Sequence, residues 1–246
     1  MNELLQTFAT VGIHLGISIL LCMVAMLFTK SEKRYLLLVL SLFFFVTISI
    51  LFIPNLPFLD KYNWNWQGKI LSFVVALLFV LFLPFLNKEQ AGLTFKINKT
   101  VWLPFAFLIA ISVSWNFIHI NTIQEIDNSK EYLFFQLTMP GISEEPIFRG
   151  VLLGLMNLIF ITKRKILGAQ LGIGALIQVI LFGVGHAVYF DQQHHLQFYK
   201  EGFMLTFILG VFMTYLKEKG ESILPAILFH NIFNASLPLA RLFVSL

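Results

Sequence analysis

Charge is scarce in this chain: only 12% of its 246 residues are Asp, Glu, Lys or Arg, where a soluble domain carries about a quarter. So little charge excludes an ordinary soluble globule. Cysteine is almost absent as well. The one residue, Cys22, lies inside an apolar run, which excludes a disulfide framework or a thiolate metal site within one chain. There is no Ser/Gly linker, low-complexity tract or repeat, and the longest polar insert, 87–100, is 14 residues; one domain spanning 1–246 is expected. The first ten residues carry an acid and no base. They lack the basic leader of a cleaved signal peptide, so the first apolar segment is expected to be retained. Two catalytic signatures are missing too: no serine stands in a nucleophile elbow, and H-E-x-x-H does not occur.

What the chain has instead is apolar length, with 58% hydrophobic residues. A helix needs about 20 apolar residues to cross the hydrocarbon of a bilayer. Candidate stretches lie near 9–29, 35–53, 70–86, 101–120, 132–161, 166–187, 203–216 and 223–245. They predict an all-α polytopic transmembrane bundle of about eight spans. Net charge is +4, but the bases are placed as topology signals, so no nucleic-acid partner is implied. Eleven of the 17 Lys and Arg fall in odd-numbered loops, among them Lys30, Lys33, Arg34, Lys163, Arg164 and Lys165, and four in even loops: Lys61, Lys69, Lys130 and Lys200. That asymmetry predicts cytoplasmic odd loops and external termini.

Intramembrane polar groups concentrate in the second half. Translocon scales charge about 2.5–3.5 kcal/mol for an ionised side chain at a helix centre, so Glu144, Glu145 and Arg149 need partners or water. Glu145 and Arg149 stand at i and i+4 with the acid first, the spacing that lets them neutralise each other. Glu144, 100° round the helix, is left over. Pro140 and Gly141 interrupt the run, and Ser143 reads as an N-cap from which a helix begins anew. Phe182 and His186, and then His230 and Asn234, repeat the i, i+4 spacing on later segments. A carboxylate, two imidazoles and a carboxamide can activate water and hold an oxyanion. His14 and His119 read as hydrogen-bonded core or span-end groups, and His194 and His195 as a solvated pair. The patterns Gly150/Gly154 and Gly168/Gly172 predict a tight pair of spans five and six.

Three ordered motifs now stand on successive apolar segments: E-E-x-x-x-R at Glu144, Glu145 and Arg149, F-x-x-x-H at Phe182 and His186, and H-x-x-x-N at His230 and Asn234. Over about residues 130–240 the chain resembles the CAAX protease and bacteriocin-processing family of intramembrane endopeptidases. The resemblance implies a membrane protease in which Glu144 and His186 polarise a water, His230 and Asn234 stabilise the oxyanion, and Glu145 and Arg149 support them. It leaves the cofactor open: a divalent metal such as zinc would draw on Glu144, His186 and His230. It implies a membrane-borne or membrane-adjacent peptide substrate, a multi-pass position in a cell membrane, and a bacterial source. Two alternatives compete: a non-catalytic scaffold or bacteriocin-immunity protein of the same fold, and an ion-coupled transporter, which would show paired broken helices in its two halves. One conflict stands. A span beginning at 166 would put His186 near its outer end, far from His230, unless that span starts later, near Gly172, or 188–202 re-enters the protein.

Overall fold

The computed structural model describes residues 3–51, 62–120, 127, 129–191 and 193–244. Nine α-helices carry the described chain: α1 Glu3–Phe28, α2 Leu36–Leu51, α3 Trp66–Phe82, α4 Trp102–His119, α5 Lys130–Glu145, α6 Leu153–Ile159, α7 Ile173–Ala187, α8 Lys200–Gly220 and α9 Leu224–Val244. Two antiparallel hairpins interrupt them, β1 Lys163–Ile166 with β2 Ala169–Gly172 and β3 Val188–Phe190 with β4 Leu196–Phe198. The fold is that of a helical membrane protein. Two of its helical stretches, Leu5–Phe28 and Lys99–His119, are long and apolar enough by themselves to cross a bilayer, while α2, α3 and α7 are shorter apolar helices. Residues 52 and 53, the end of the second expected span, the even-loop base Lys61, and residue 245 at the end of the eighth lie outside the described residues.

Helix α5 does not restart at Ser143. Its N-cap is Ser129, whose hydroxyl accepts the Tyr132 N–H at 3.1 Å, and Ser143 is interior, donating to the Pro140 carbonyl at 3.4 Å. The irregularity falls after Glu145 instead, where Pro146–Leu152 winds as a π-helix before α6. Pro146 has no N–H to give the preceding turn. The helix widens, so that Leu153 N–H reaches back to Phe148 O, five residues away. All seven π residues are buried.

The sixth apolar segment begins at Ile173, not 166. Residues 163–172 form the first hairpin, whose two-residue loop, Leu167 and Gly168, takes φ of 49° and 90°. Both values are left-handed, as a tight hairpin turn requires. Gly168 and Gly172 are therefore not on a helix. Gly150 and Gly154 do not face α7 either: a side chain there would meet Ala91 O at 3.5 Å and Leu86 Cδ1 at 2.7 Å, so both pack on the 83–98 connection. The small residue that lets α6 and α7 meet is Gly174, against Met156. The later start of α7 is one of the two resolutions the sequence allows, and beyond it Val188–Phe190 pairs with Leu196–Phe198 as the second hairpin.

The odd connections gather at one end of the molecule. Glu32 N–H donates to Ile159 O at 2.8 Å, Lys219 Nζ to Leu167 O at 2.9 Å, and Ile223 N–H to Gly92 O at 2.9 Å. At the other end Gln6 reaches the Phe190 and Asp191 carbonyls of the second hairpin, and His14 Nε2 bonds Val188 O at 2.7 Å. His119, at the end of α4, bonds Trp115 O and stacks on its ring. Both histidines are thus tied to backbone carbonyls, although the buried His14 Nδ1 finds no hydrogen-bond partner among the described residues. His194 and His195 lie on the exposed turn of the second hairpin, where the Asp191 carboxylate accepts the Gln193 and His195 N–H groups, each at 2.9 Å.

Candidate active site

Helices α5 and α9 make the closest packing contact near the acids. A side-chain carbon on Gly141 would lie 2.6 Å from Asn231 Oδ1 and 2.7 Å from Ile227 O; only glycine permits this approach. Asn231 Oδ1 uses it to accept the Gly141 N–H at 2.8 Å. The result sets the His230 turn of α9 against the last turn of α5. Helix α3 is fastened to the start of α5 by Glu131, whose Oε1 accepts from Asn63 N, Trp64 N and Trp66 Nε1 at 3.0, 3.2 and 3.1 Å. Asn65 caps α3 by accepting Gly68 N–H at 2.8 Å.

The local ion pair forms as its spacing predicts. Arg149 Nη1 donates to Glu145 Oε1 at 3.1 Å, and both side chains are fully buried. Ion pairs without water repay their desolvation only when other bonds complete them. Here Arg149 Nη2 also donates to Gly210 O at 3.4 Å, and its guanidinium lies 4.1 Å from the Phe182 ring centroid. The same Glu145 oxygen bonds His230 Nδ1 at 2.9 Å. His230 therefore leans on Glu145 and presents Nε2 as its remaining ring nitrogen.

Glu144 has a different set of neighbours. Its Oε1 is paired with the Lys69 ammonium from α3, and its Oε2 accepts no hydrogen bond among the described residues and stands 3.7 Å from His186 Nε2. His186 Nδ1 is 2.7 Å from Phe182 O; a carbonyl can only accept, so Nδ1 carries the proton in the neutral ring and Nε2 keeps its lone pair. Phe182, one turn before His186, is level with His230, the ring centroids 6.1 Å apart. It also packs edge-on against Phe148. The apparent distance between the two histidines along their helices closes across this ring.

Glu144, His186, His230, Asn234 and Lys69 share one cavity of about 270 Å³. A second, of about 210 Å³, lies on the α2 side of Glu144 and His186. A larger, mostly apolar cavity lies at the opposite end of α7 and holds none of these residues. The expected site residues are thus brought together, while His14, His119, His194 and His195 stay outside. The sequence reading missed Lys69, which it counted as a loop base, and the bond from His230 to Glu145. A signal for Lys69 was present: Asn65 is a good N-cap residue, and starting the third helix there puts a lysine inside an apolar segment.

Zinc bound by Glu144, His186 and His230 would need all three at about 2.0–2.2 Å from one point. The Lys69 ammonium is paired with Glu144 Oε1, so its positive charge opposes a second cation beside that carboxylate, and His230 gives one nitrogen to Glu145. Among the described residues no group of three His, Cys, Asp or Glu is placed to hold a metal ion. As arranged, these side chains do not form a metal site.

Residues 129–236 match the family model of the Rce1-like proteins, described as type II CAAX prenyl endopeptidases. No curated protein and no solved structure matches the chain. The matched segment runs from the N-cap of α5 to two residues beyond Asn234, so it contains all three motifs and excludes Lys69. Over that segment, a little under half of its length, the chain is similar to the Rce1-like type II CAAX prenyl endopeptidases.

Proposed function

We propose that this protein is a multi-pass intramembrane endopeptidase of a cell membrane, crossing it about eight times and folded as one domain. It hydrolyses a peptide bond in a membrane-borne or membrane-adjacent peptide. The observation that carries this reading is the buried Glu144 Oε2, free of hydrogen bonds and 3.7 Å from the lone-pair nitrogen of His186. A polar gap of that width between two acceptors suits a water molecule that donates to both. Glu144 takes one proton from the water as its oxygen bonds the carbonyl carbon. The carbonyl oxygen becomes an oxyanion on the α9 side of the cavity, where the Asn234 amide donates to it and His230, its Nδ1–H held by Glu145, donates from Nε2 as an imidazolium. The C–N bond then breaks, and the proton held by Glu144 passes to the leaving nitrogen. The two cavities on either side of the Glu144 and His186 pair give the peptide room before and after the scissile bond.

The direct test is incubation of purified, liposome-reconstituted protein with a panel of membrane-anchored peptides, with and without prenyl groups, read by mass spectrometry. Cleavage at a defined bond is expected. No cleavage across the panel by folded protein, with retained binding, would favour the scaffold reading.

Lys69 is proposed to hold the Glu144 carboxylate in place. Lys69→Met leaves a nearly buried carboxylate without its cation, a loss that costs about 3–5 kcal/mol for fully buried pairs and less here, where the lysine side chain is 15% exposed. Lys69→Arg is expected to restore most of the stability. Thermal unfolding in one detergent checks both, and a Lys69→Met protein as stable as the parent would contradict the pairing.

A further inference from the structure

The end of the molecule opposite His186 on α7 takes no part in the proposed reaction, yet it carries an unusual concentration of base. Strand β1 opens with Lys163, Arg164 and Lys165. The connection that bears Lys30, Lys33 and Arg34 is tied beside it, through the Glu32 N–H to Ile159 O bond and the bridge between Ser31 and Phe160. Two acids temper these six bases: Glu32, 3.7 Å from Lys30, and Glu218, 4.0 Å from Lys163. Among the described residues no ion pair reaches Lys33, Arg34, Arg164 or Lys165.

Directly beneath this edge lies the cavity of about 500 Å³ between α7, α8 and the first hairpin. Arg164 stands in its lining, and the remaining wall is mainly apolar, including Ile166, Leu176, Val179 and Val211. Two of its three threonines are already satisfied within the protein, Thr29 Oγ1 donating to Ala25 O at 2.8 Å and Thr214 Oγ1 to Gln178 Oε1 at 2.9 Å, and the third, Thr162, lies at the exposed hairpin edge beside Arg164. The cavity therefore offers an apolar guest little that is polar to desolvate, its polar groups gathering at the hairpin end with Arg164 and Thr162. Leu176 and Val211 are 46% and 41% exposed, so its open side is an apolar rim between two membrane helices.

We infer that this cavity is a site for an anionic glycerophospholipid, with an acyl chain lying along Val179, Leu176 and Val211 and the phosphate held by Arg164 beside Lys165. The amphipathic arrangement decides the occupant. A free phosphate would leave the apolar wall unused, and a neutral lipid would leave four unpaired bases unused. Basic residues at a membrane surface attract anionic lipid by about 1 kcal/mol each, and basic pockets between membrane helices hold anionic head groups. The site is independent of the proposed hydrolysis, since it shares no residue with the Glu144 cavity.

The test uses delipidated full-length protein in a neutral detergent, titrated with phosphatidylglycerol, phosphatidylcholine or inorganic phosphate and followed by thermal stability and by retained lipid in native mass spectrometry. Phosphatidylglycerol is expected to bind more tightly than phosphatidylcholine, and phosphate is expected to produce no shift. Arg164→Gln with Lys165→Gln, both exposed and so compatible with folding, should erode the preference by about 30-fold, or about fivefold for each charge. Ala175→Phe should fill the cavity and weaken phosphatidylglycerol binding with the bases intact; if it does not fold, Val211→Phe on the exposed rim does the same. Equal binding of both lipids, an unchanged preference in the double variant, or a phosphate shift as large as that of phosphatidylglycerol would overturn the inference. So would full binding with the cavity filled, because the lipid would then merely adsorb to the charged edge.

Discussion

Glu144→Gln is expected to fold like the parent and to lose on the order of 100- to 10,000-fold in turnover, the range general-base groups supply. The carboxamide has nearly the same shape and keeps an oxygen for the Lys69 ammonium, so packing changes little. What it cannot do is take a proton from water. Its neighbours supply no substitute: Glu145, whose Oε1 holds Arg149 and His230, does not line this cavity, and the other oxygen-bearing side chains on its wall, Gln136, Thr206 and Asn234, are neutral groups too weakly basic to take the proton. Equal circular dichroism and size-exclusion profiles beside a collapsed cleavage rate would fit this role. Retention of most activity would remove Glu144 from the chemistry.

One residue along the chain, the same kind of change has the opposite consequence. Glu145→Ala strips Arg149 of its carboxylate at zero exposure, leaving it the Gly210 carbonyl and the Phe182 face, and it removes the acceptor that orients His230. Breaking one side of a fully buried pair costs about 3–5 kcal/mol, a large part of the 5–15 kcal/mol that holds a typical domain together. Folded yield and thermal midpoint should therefore fall sharply. Replacing Arg149 and Glu145 together by methionine and leucine should recover part of the loss, because no lone charge then remains. A Glu145→Ala protein as stable as the parent would mean that water, not Glu145, satisfies Arg149.

These neighbours differ because of where each side chain points, and that difference was half legible in the sequence. The Glu145 and Arg149 pair follows from helical spacing alone, a local rule that needs no tertiary information. The likeness of the three motifs was legible too, since each is an i, i+4 face on its own apolar segment. Lys69 was hidden for two reasons. It stands 75 residues from Glu144 in the chain, and an apolar window begins after a lysine, so hydropathy places it in a loop. The π turn at Pro146–Leu152 was hidden because a proline four residues before a glycine reads equally well as the first turn of a new helix. Gly168 and Gly172 misled for a related reason: spacing of four is common to a helix face and to a hairpin with a two-residue turn, and only the left-handed φ values at Leu167 and Gly168 tell them apart; Gly150 and Gly154 are helical, but they face Ala91 and Leu86 rather than α7. His230 pairing with Glu145 rather than Glu144 depends on the close approach at Gly141, which one sequence does not reveal.

The account rests on water being the attacking group with Glu144 as its base. The measurement that tests it most directly is a single turnover in H₂¹⁸O, with enzyme in excess over a cleavable membrane peptide and the new C-terminus of the amino-terminal fragment read by mass spectrometry. The account predicts one ¹⁸O in the newly formed carboxylate in the first turnover, and no such product from Glu144→Gln. A first-turnover product carrying only ¹⁶O would contradict it, because the oxygen would then have come from a protein carboxylate through an acyl intermediate.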